Sequence, residues 1–293
     1  MYAHINRKKV EQVLRLGAGR HVTVKAIQTV GGGSINYTCK VSTTAGHYFL
    51  KVNEAPFGHQ MFDVEQKGLN ILHTKSDFTI PAPLGVYDID NTAFLLMEFI
   101  DASTPLSGYW QLLAINLAKL HRHSSEYFGL NHDNFIGSLP QDNTPEKDWP
   151  QFFSAHRLQP LVKLAFDNGL IELATEQSFE ALLHSLNGLM PAEPPALLHG
   201  DLWSGNLLVD GGGNPCLVDP AVYYGHREMD LAFSRMFGGF SQEFYVEYEH
   251  VFPLEQGFEA RLDLYNLYPL LVHLNLFGKS YLGQIKSILK RFT

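Results

Sequence analysis

The chain is poor in cysteine, with two in 293 residues, Cys39 and Cys216. They lie far apart and in no metal-ligand spacing. That excludes a disulfide scaffold and makes a reducing, cytoplasmic setting the expectation. A basic excess is also missing. The formal net charge is -8, which argues against a nucleic-acid partner, because such proteins present a basic face. No apolar run approaches the roughly 20 residues of a membrane span. The charged stretch Met1–Lys9 has no apolar run behind it, so neither a signal peptide nor a membrane partner is expected. There is no internal repeat and no low-complexity segment. A Walker loop is absent as well. The one Gly278-Lys279-Ser280 has His273 where the first glycine should stand.

What remains is a globular composition, 45% apolar and 18% charged, long enough for one large or two smaller domains with a real core. The first half reads as a helix followed by strands. Residues 5–16 have helical spacing and stop at Gly17. His21–Thr29, Ile35–Thr43 and His47–Asn53 then alternate as three antiparallel strands. Gly31, Gly32, Gly33 and Ser34 form the first turn. Such a turn is either an ordinary hairpin or a lid whose backbone amides approach phosphates without side-chain obstruction. Lys51 interrupts the apolar third strand, as an edge charge or as a buried cation with a partner. Pro56–Thr74 is a helix carrying Glu65 among Phe62, Leu69 and Leu72. An unpaired carboxylate there would be costly, so Lys51 and Glu65 are expected to pair. Two more strands, Pro81–Asp88 and Ala93–Met97, flank an Asp90-Asn91 turn. Glu98, Phe99 and Ile100 lead out as a hinge or a plain linker.

Beyond residue 100 the pattern turns helical: Pro105–His123, Gln151–Asn168, Thr175–Leu189, Arg227–Phe237, Gln242–His250, Gly257–Leu276 and Lys279–Phe292. His121 and His123 face different sides of their helix and are expected to cap its C-terminus rather than bind metal. Ser124–Pro150 reads as an irregular insert. The expectation is an α+β, bilobal fold of the protein-kinase type. A small antiparallel-sheet lobe with one helix spans residues 1–100, and a larger helical lobe spans 101–293.

The stretch His199–Asp219 carries the chemistry. Asp201 and Asn206 stand five apart on a short loop, and Asp219 follows the apolar Cys216-Leu217-Val218 strand. Two carboxylates and an amide in this order suit phosphoryl transfer. One accepts a hydroxyl proton; the others hold magnesium against nucleotide phosphates. The Asp-x-x-x-x-Asn spacing is that of a protein-kinase catalytic loop. Asp230, in Met229-Asp230-Leu231-Ala232, is read as an anchor for that loop rather than a chemical group.

Three blocks give the chain a resemblance to a known family: His199-Gly200-Asp201-Leu202-Trp203-Ser204-Gly205-Asn206, Asp219-Pro220-Ala221-Val222-Tyr223-Tyr224-Gly225-His226, and Met236-Phe237-Gly238-Gly239-Phe240. The segments Asp148–Phe153, His156–Gln159 and Phe49–Asn53 add to it. Together they resemble the fructosamine kinase (ketosamine-3-kinase) family, small-molecule relatives of protein kinases and aminoglycoside phosphotransferases. The resemblance implies ATP-dependent phosphorylation of O3 in ketosamines, free or on glycated proteins, giving an unstable product that releases the amine. It implies Asp201 as general base and Asn206 and Asp219 as magnesium ligands. Lys51, paired with Glu65, would contact phosphates, and Glu98, Phe99 and Ile100 would hold adenine. On the acceptor side, Trp203 either stacks on the sugar or packs as ordinary wall, with the Asp148–Gln159 block beside it. His226, His273 and Asn275 are further acceptor candidates, each with a core role as the competing reading.

The sequence departs from protein kinases at Gly200, where they carry the Arg of His-Arg-Asp, and no Ala-Pro-Glu segment follows. A constitutively formed site is therefore expected, without a phosphorylation switch. Some relatives carry a cysteine in the glycine-rich turn; here it is Ser34, which speaks against a redox switch there. A kinase for another small hydroxyl substrate, such as an aminosugar or choline, uses the same catalytic residues. A silent kinase-fold scaffold would lack one of them, and none is lacking. The sequence does not specify the sugar or the oligomeric state.

Overall fold

The structure, a computed structural model, describes residues 6–19, 22–31 and 35–292. The chain divides into two compact units, Met1–Leu112 with Gly205–Pro220, and Leu113–Ser204 with Ala221–Thr293. The boundary expected at residue 100 thus falls inside the first unit. The reason is local hydrogen bonding. Ser103 Oγ donates to Asp210 O (2.7 Å) and Leu106 N to Gly213 O (3.1 Å), tying the segment after the sheet to the hairpin of Leu207–Val209 and Pro215–Leu217.

In the first unit, α1 (Arg7–Gly17) starts two residues later than its apolar spacing suggests. Asn6 serves as N-cap, its side chain accepting from Lys8 N at 3.0 Å. Five antiparallel strands follow: β1 (Val24–Thr29), β2 (Tyr37–Thr43), β3 (Gly46–Asn53), then β4 (Pro83–Ile89) and β5 (Thr92–Glu98) after α2 (Gly58–Lys75). Their order is β1-β2-β3-β5-β4. Asp90 and Asn91, at φ 47° and 59°, make the β4–β5 turn. Both central residues left-handed is the geometry that matches strand twist. Val10, Val13 and Leu14 of α1 pack with Cys39, Val41, Leu50 and Leu96 as one apolar core.

Two features of this sheet position functional groups. First, β3 is central, so Lys51 is no edge charge; its neighbours across the sheet are Thr38 and Leu95. Second, Asn53 joins β3 to its surroundings. Its Nδ2 donates to Asn36 Oδ1 (2.8 Å), and its Oδ1 accepts from Ala55 N (2.7 Å) just before α2.

The second unit is helical: the end of α3 (Tyr109–His121), then α4 (Trp149–Phe153), α5 (Gln159–Asp167), α6 (Leu173–Leu189), α7 (Glu228–Ser234), α8 (Gln242–Val251), α9 (Phe258–Phe277) and α10 (Leu282–Phe292). A π turn, Ser154–Leu158, joins α4 to α5 in the helix expected at 151–168. The insert 124–150 is not wholly irregular, because Asn134–Ile136 pairs with Leu139–Gln141. A further short pairing, Ala196–Leu198 with Tyr223–Gly225, places the residues before Gly200 beside those after Pro220. The helix expected to reach Phe237 ends at Ser234. Phe237, Gly238 and Gly239 all take positive φ, which terminates it. No helix among the described residues is long and apolar enough to cross a membrane.

Candidate active site

In the first unit, Lys51 Nζ donates to Glu65 Oε1 at 2.5 Å and to Asp219 Oδ1 at 2.6 Å. Its side chain is only 4% exposed. Burial opposes the ammonium, but the charges of Asp219 and Glu65 outweigh it and hold Lys51 protonated well above its ordinary range. Burial pushes the Glu65 carboxyl up, and the Asp219 charge adds to that. The ammonium opposes both, and we take the pair as ionic. Asp219 stands in the left-handed region at φ 55° with its side chain 41% exposed, so one carboxylate oxygen faces Lys51 while the group stays accessible. Asn206 is buried, and its carbonyl accepts from Val218 N at 3.1 Å, tying the two ends of the 206–218 hairpin. An amide and a carboxylate are the hard oxygen donors magnesium uses when phosphates and waters complete its shell. No three His, Cys, Asp or Glu side chains gather as a metal cluster among the described residues.

Gly31 is exposed, with nothing within 4 Å of a Cβ built there; Gly32, Gly33 and Ser34 lie outside the described residues. Glu98 closes β5, its amide donating to Ala82 O at 2.9 Å. Phe99 lies under Lys40, whose Nζ is 4.1 Å from the ring centroid. Ile100 is half-buried.

In the second unit, the loop bearing Asp201 is clamped from below. Asp230 Oδ2 accepts from His199 N (2.8 Å) and Oδ1 from Gly200 N (3.0 Å), as the anchor reading expects. His121, expected to cap a helix, instead lies buried. Its Nε2 is 3.3 Å from Asp230 Oδ2 and its Nδ1 2.7 Å from Tyr248 OH. A second clamp comes from the side. Ala221 N donates to His199 O at 2.9 Å. The carbonyls of Ala221 and Val222 accept from Gln141 Nε2 (3.2 Å) and Asn134 Nδ2 (2.9 Å). Those amides belong to a buried network in which Arg157 donates to Asn143 and Tyr268 OH to Gln141 Oε1. Gly200 is required where it stands: φ is +83°, and a Cβ there would lie 2.0 Å from Ala221 O. No arginine fits in its place.

Asp201 and Asp230 line a small pocket of about 20 Å³, room for a water-sized group. Ile136, Met229, Phe233 and Val272 form its apolar wall, and His273 completes it. Trp203 packs edge-on to Phe237 with ring centroids 5.9 Å apart, and Phe237 lies 4.8 Å from His273. Phe237 is 43% exposed with φ +52°. A bulky residue in the left-handed region is unusual, and here it opens the tight Phe237-Gly238-Gly239 turn that holds the ring at the surface.

Other acceptor candidates do not reach this cavity. His226 is wholly enclosed, stacked on Trp149 at 5.1 Å and bonded to Tyr265 OH at 2.8 Å. Burial, with Arg261 and Arg227 adding, lowers its pKa to about 3, so it stays neutral. Asn275 spends its amide on Leu161 O and Leu271 O. In the 148–159 block, Arg157 is fully buried, 4.0 Å from the Tyr223 ring centroid. That segment supports the site through the network above rather than lining the cavity. Phe233 and Ile136 lie in no motif, and Met229 and Phe237 fell within quoted blocks without being singled out as site residues. Only the Gly238-Gly239 pair after Phe237 hinted at an irregular helix end.

The sequence model of the family described as Fructosamine kinase matches residues 6–293. A protein of Enterococcus faecium named "Probable ketoamine kinase" is 40% identical over 90% of this chain and 94% of its own. The chloroplastic protein-ribulosamine 3-kinase of Arabidopsis thaliana is 38% identical over 94% of this chain and 84% of its own. A crystal structure from Haemophilus somnus 129PT, named for a fructosamine-3-kinase, superposes with a TM-score of 0.87 at 27% identity, covering 97% of this chain and 96% of that one.

Proposed function

The chain belongs to the fructosamine kinase family, and from that premise we propose that it transfers the γ-phosphoryl group of ATP to O3 of ketosamines such as fructosyl- or ribulosyl-lysine, free or on glycated proteins. The observation that carries the reading is Asp201, on a loop fixed by two clamps and lining a small pocket with an apolar wall. Asp201 takes the proton of the acceptor hydroxyl as its oxygen bonds to phosphorus. The bond from phosphorus to the β–γ bridging oxygen breaks, and ADP departs. Asn206 and Asp219 would hold magnesium, which supplies charge neutralisation on the phosphates. Lys51, oriented by Glu65, gives a second cation toward them, and Glu98–Ile100 supply the adenine contacts. The ketosamine 3-phosphate then releases its amine, which makes the activity a deglycation repair in a cytoplasmic setting. Nucleic acid and membranes are not partners in this reading.

The test is a panel scored by ADP release: fructosyl-lysine, ribulosyl-lysine, an aminosugar and choline, each with magnesium and ATP. The proposal expects both ketosamines to lead by kcat/KM. Preference for the aminosugar or choline would transfer the chain to another small-molecule kinase class. No magnesium-dependent ATP binding at all would make it a silent scaffold.

A further inference from the structure

Where the chain leaves the sheet after β5, its backbone has little support. Glu98 N donates to Ala82 O at 2.9 Å, and Ser103 N donates to Val209 O at 3.4 Å. Between them, the amides of Phe99, Ile100, Asp101 and Ala102 donate to no backbone carbonyl among the described residues. A stretch that must be ordered by its ligand loses affinity to that ordering, and one ordered beforehand does not. Side chains supply the order here. Lys40 stands on the inner strand β2, opposite Phe49 of β3, which stands opposite Met97 of β5. That row across the sheet puts Lys40 level with the exit of β5. Its Nζ lies 4.1 Å from the Phe99 ring centroid and 3.8 Å from Asp101 Oδ1. One ammonium thus reaches both neighbours of Ile100. His47 meets the same ring edge-on, with centroids 6.1 Å apart.

We propose that Lys40 is a positioning residue for the nucleotide: by holding Phe99 and Asp101 it pre-sets the backbone of residues 98–100 for adenine, so that affinity for the nucleoside part depends on it. This rests on the kinase reading above, which gives Glu98–Ile100 the adenine contacts. An ordinary solvated lysine fits the surroundings less well. The Lys40 side chain is only 22% exposed, and its ammonium lies well inside the roughly 6 Å at which a ring face attracts a cation. The Asp101 carboxylate is 71% exposed, so that pair adds little and the ring contact carries most of the hold.

The experiment measures adenosine and MgATP binding by calorimetry in the wild-type chain, Lys40→Met, Lys40→Arg, Phe99→Leu and the double variant Lys40→Met with Phe99→Leu. Lys40→Met should weaken adenosine and MgATP by the same factor, about two- to fivefold. In turnover, KM for ATP should rise by that factor and KM for fructosyl-lysine should not. Lys40→Arg keeps a cation that stacks on aromatic faces and should restore most of the affinity. In the Phe99→Leu background, Lys40→Met should cost little more, because Lys40 acts through the ring. A loss for MgATP without one for adenosine would make Lys40 a phosphate contact. A full further loss in the double variant would make it a direct contact of the base. Either result, or unchanged affinity in Lys40→Met, overturns the inference while leaving the kinase reading intact. Wild-type protein that binds neither adenosine nor MgATP defeats the kinase reading and the inference with it. Should Lys40→Met fail to fold, Lys40→Gln, polar but uncharged, makes the same comparison.

Discussion

Replacing Gly200 by alanine puts one methyl group against the tightest backbone approach around Asp201. A left-handed φ of +83° costs an L-residue about 1–2 kcal/mol. The new Cβ would lie 2.0 Å from Ala221 O, where real contacts stay beyond 3.0 Å. About an ångström of backbone movement is needed to relieve it. Two bonds hold that backbone, Gly200 N to Asp230 Oδ1 at 3.0 Å and Ala221 N to His199 O at 2.9 Å. Losing either leaves a buried polar group unsatisfied, a further cost of about 1–3 kcal/mol. The total is about 2–5 kcal/mol. Gly169 is the control: its φ is +66°, but nothing lies within 4 Å of a built Cβ, so Gly169→Ala should cost only about 1–2 kcal/mol. Urea denaturation measures both, and ADP release measures rate on the folded fraction. Misplacing Asp201 by an ångström should lower kcat about 100-fold in Gly200→Ala, with Gly169→Ala near wild type. Equal stabilities and equal rates for the two variants would show that the Gly200–Ala221 approach does not position Asp201.

Two further outcomes follow from buried charges. Lys51→Met leaves Glu65 and Asp219 without their shared cation and should cost about 3 kcal/mol; adding Glu65→Leu should recover much of this, because an apolar pair replaces a broken ionic one. Calorimetry should find MgATP binding weakened in both, and a double variant no more stable than Lys51→Met would refute the pairing. His226, with a pKa of about 3 when folded against the ordinary 6.5, is protonated first in the unfolded chain. Stability is therefore lost as pH falls below about 6.5, at up to about 1.4 kcal/mol per pH unit. The stability gap between wild type and His226→Phe should close by about 2 kcal/mol from pH 6.5 to pH 5. A gap independent of pH in urea titrations contradicts the enclosed neutral imidazole.

Some of this was readable from residue order because the residues carried their own demand for partners. A lysine in an apolar strand and a glutamate on an apolar helix face each require an opposite charge, and Lys51 and Glu65 meet. Asp230, placed on a helix soon after the loop, had no other evident use. The rest needed tertiary contacts. Asn134, Gln141 and Asn143 look like loop polarity, and only the pairing of Asn134–Ile136 with Leu139–Gln141 turns them inward. His121 sits at a helix end, where capping is the local answer; Tyr248 and Asp230, more than a hundred residues away, supply the actual one. The left-handed Phe237 breaks the local rule that a bulky residue avoids positive φ, and no spacing reveals that.

The most direct measurement is the single-turnover rate of Asp201→Ala with MgATP and fructosyl-lysine, beside wild type, with MgATP affinity measured on both. Loss of the general base should slow phosphoryl transfer by about 10²–10⁴-fold while nucleotide affinity stays close to wild type. Undiminished transfer in Asp201→Ala would contradict the account.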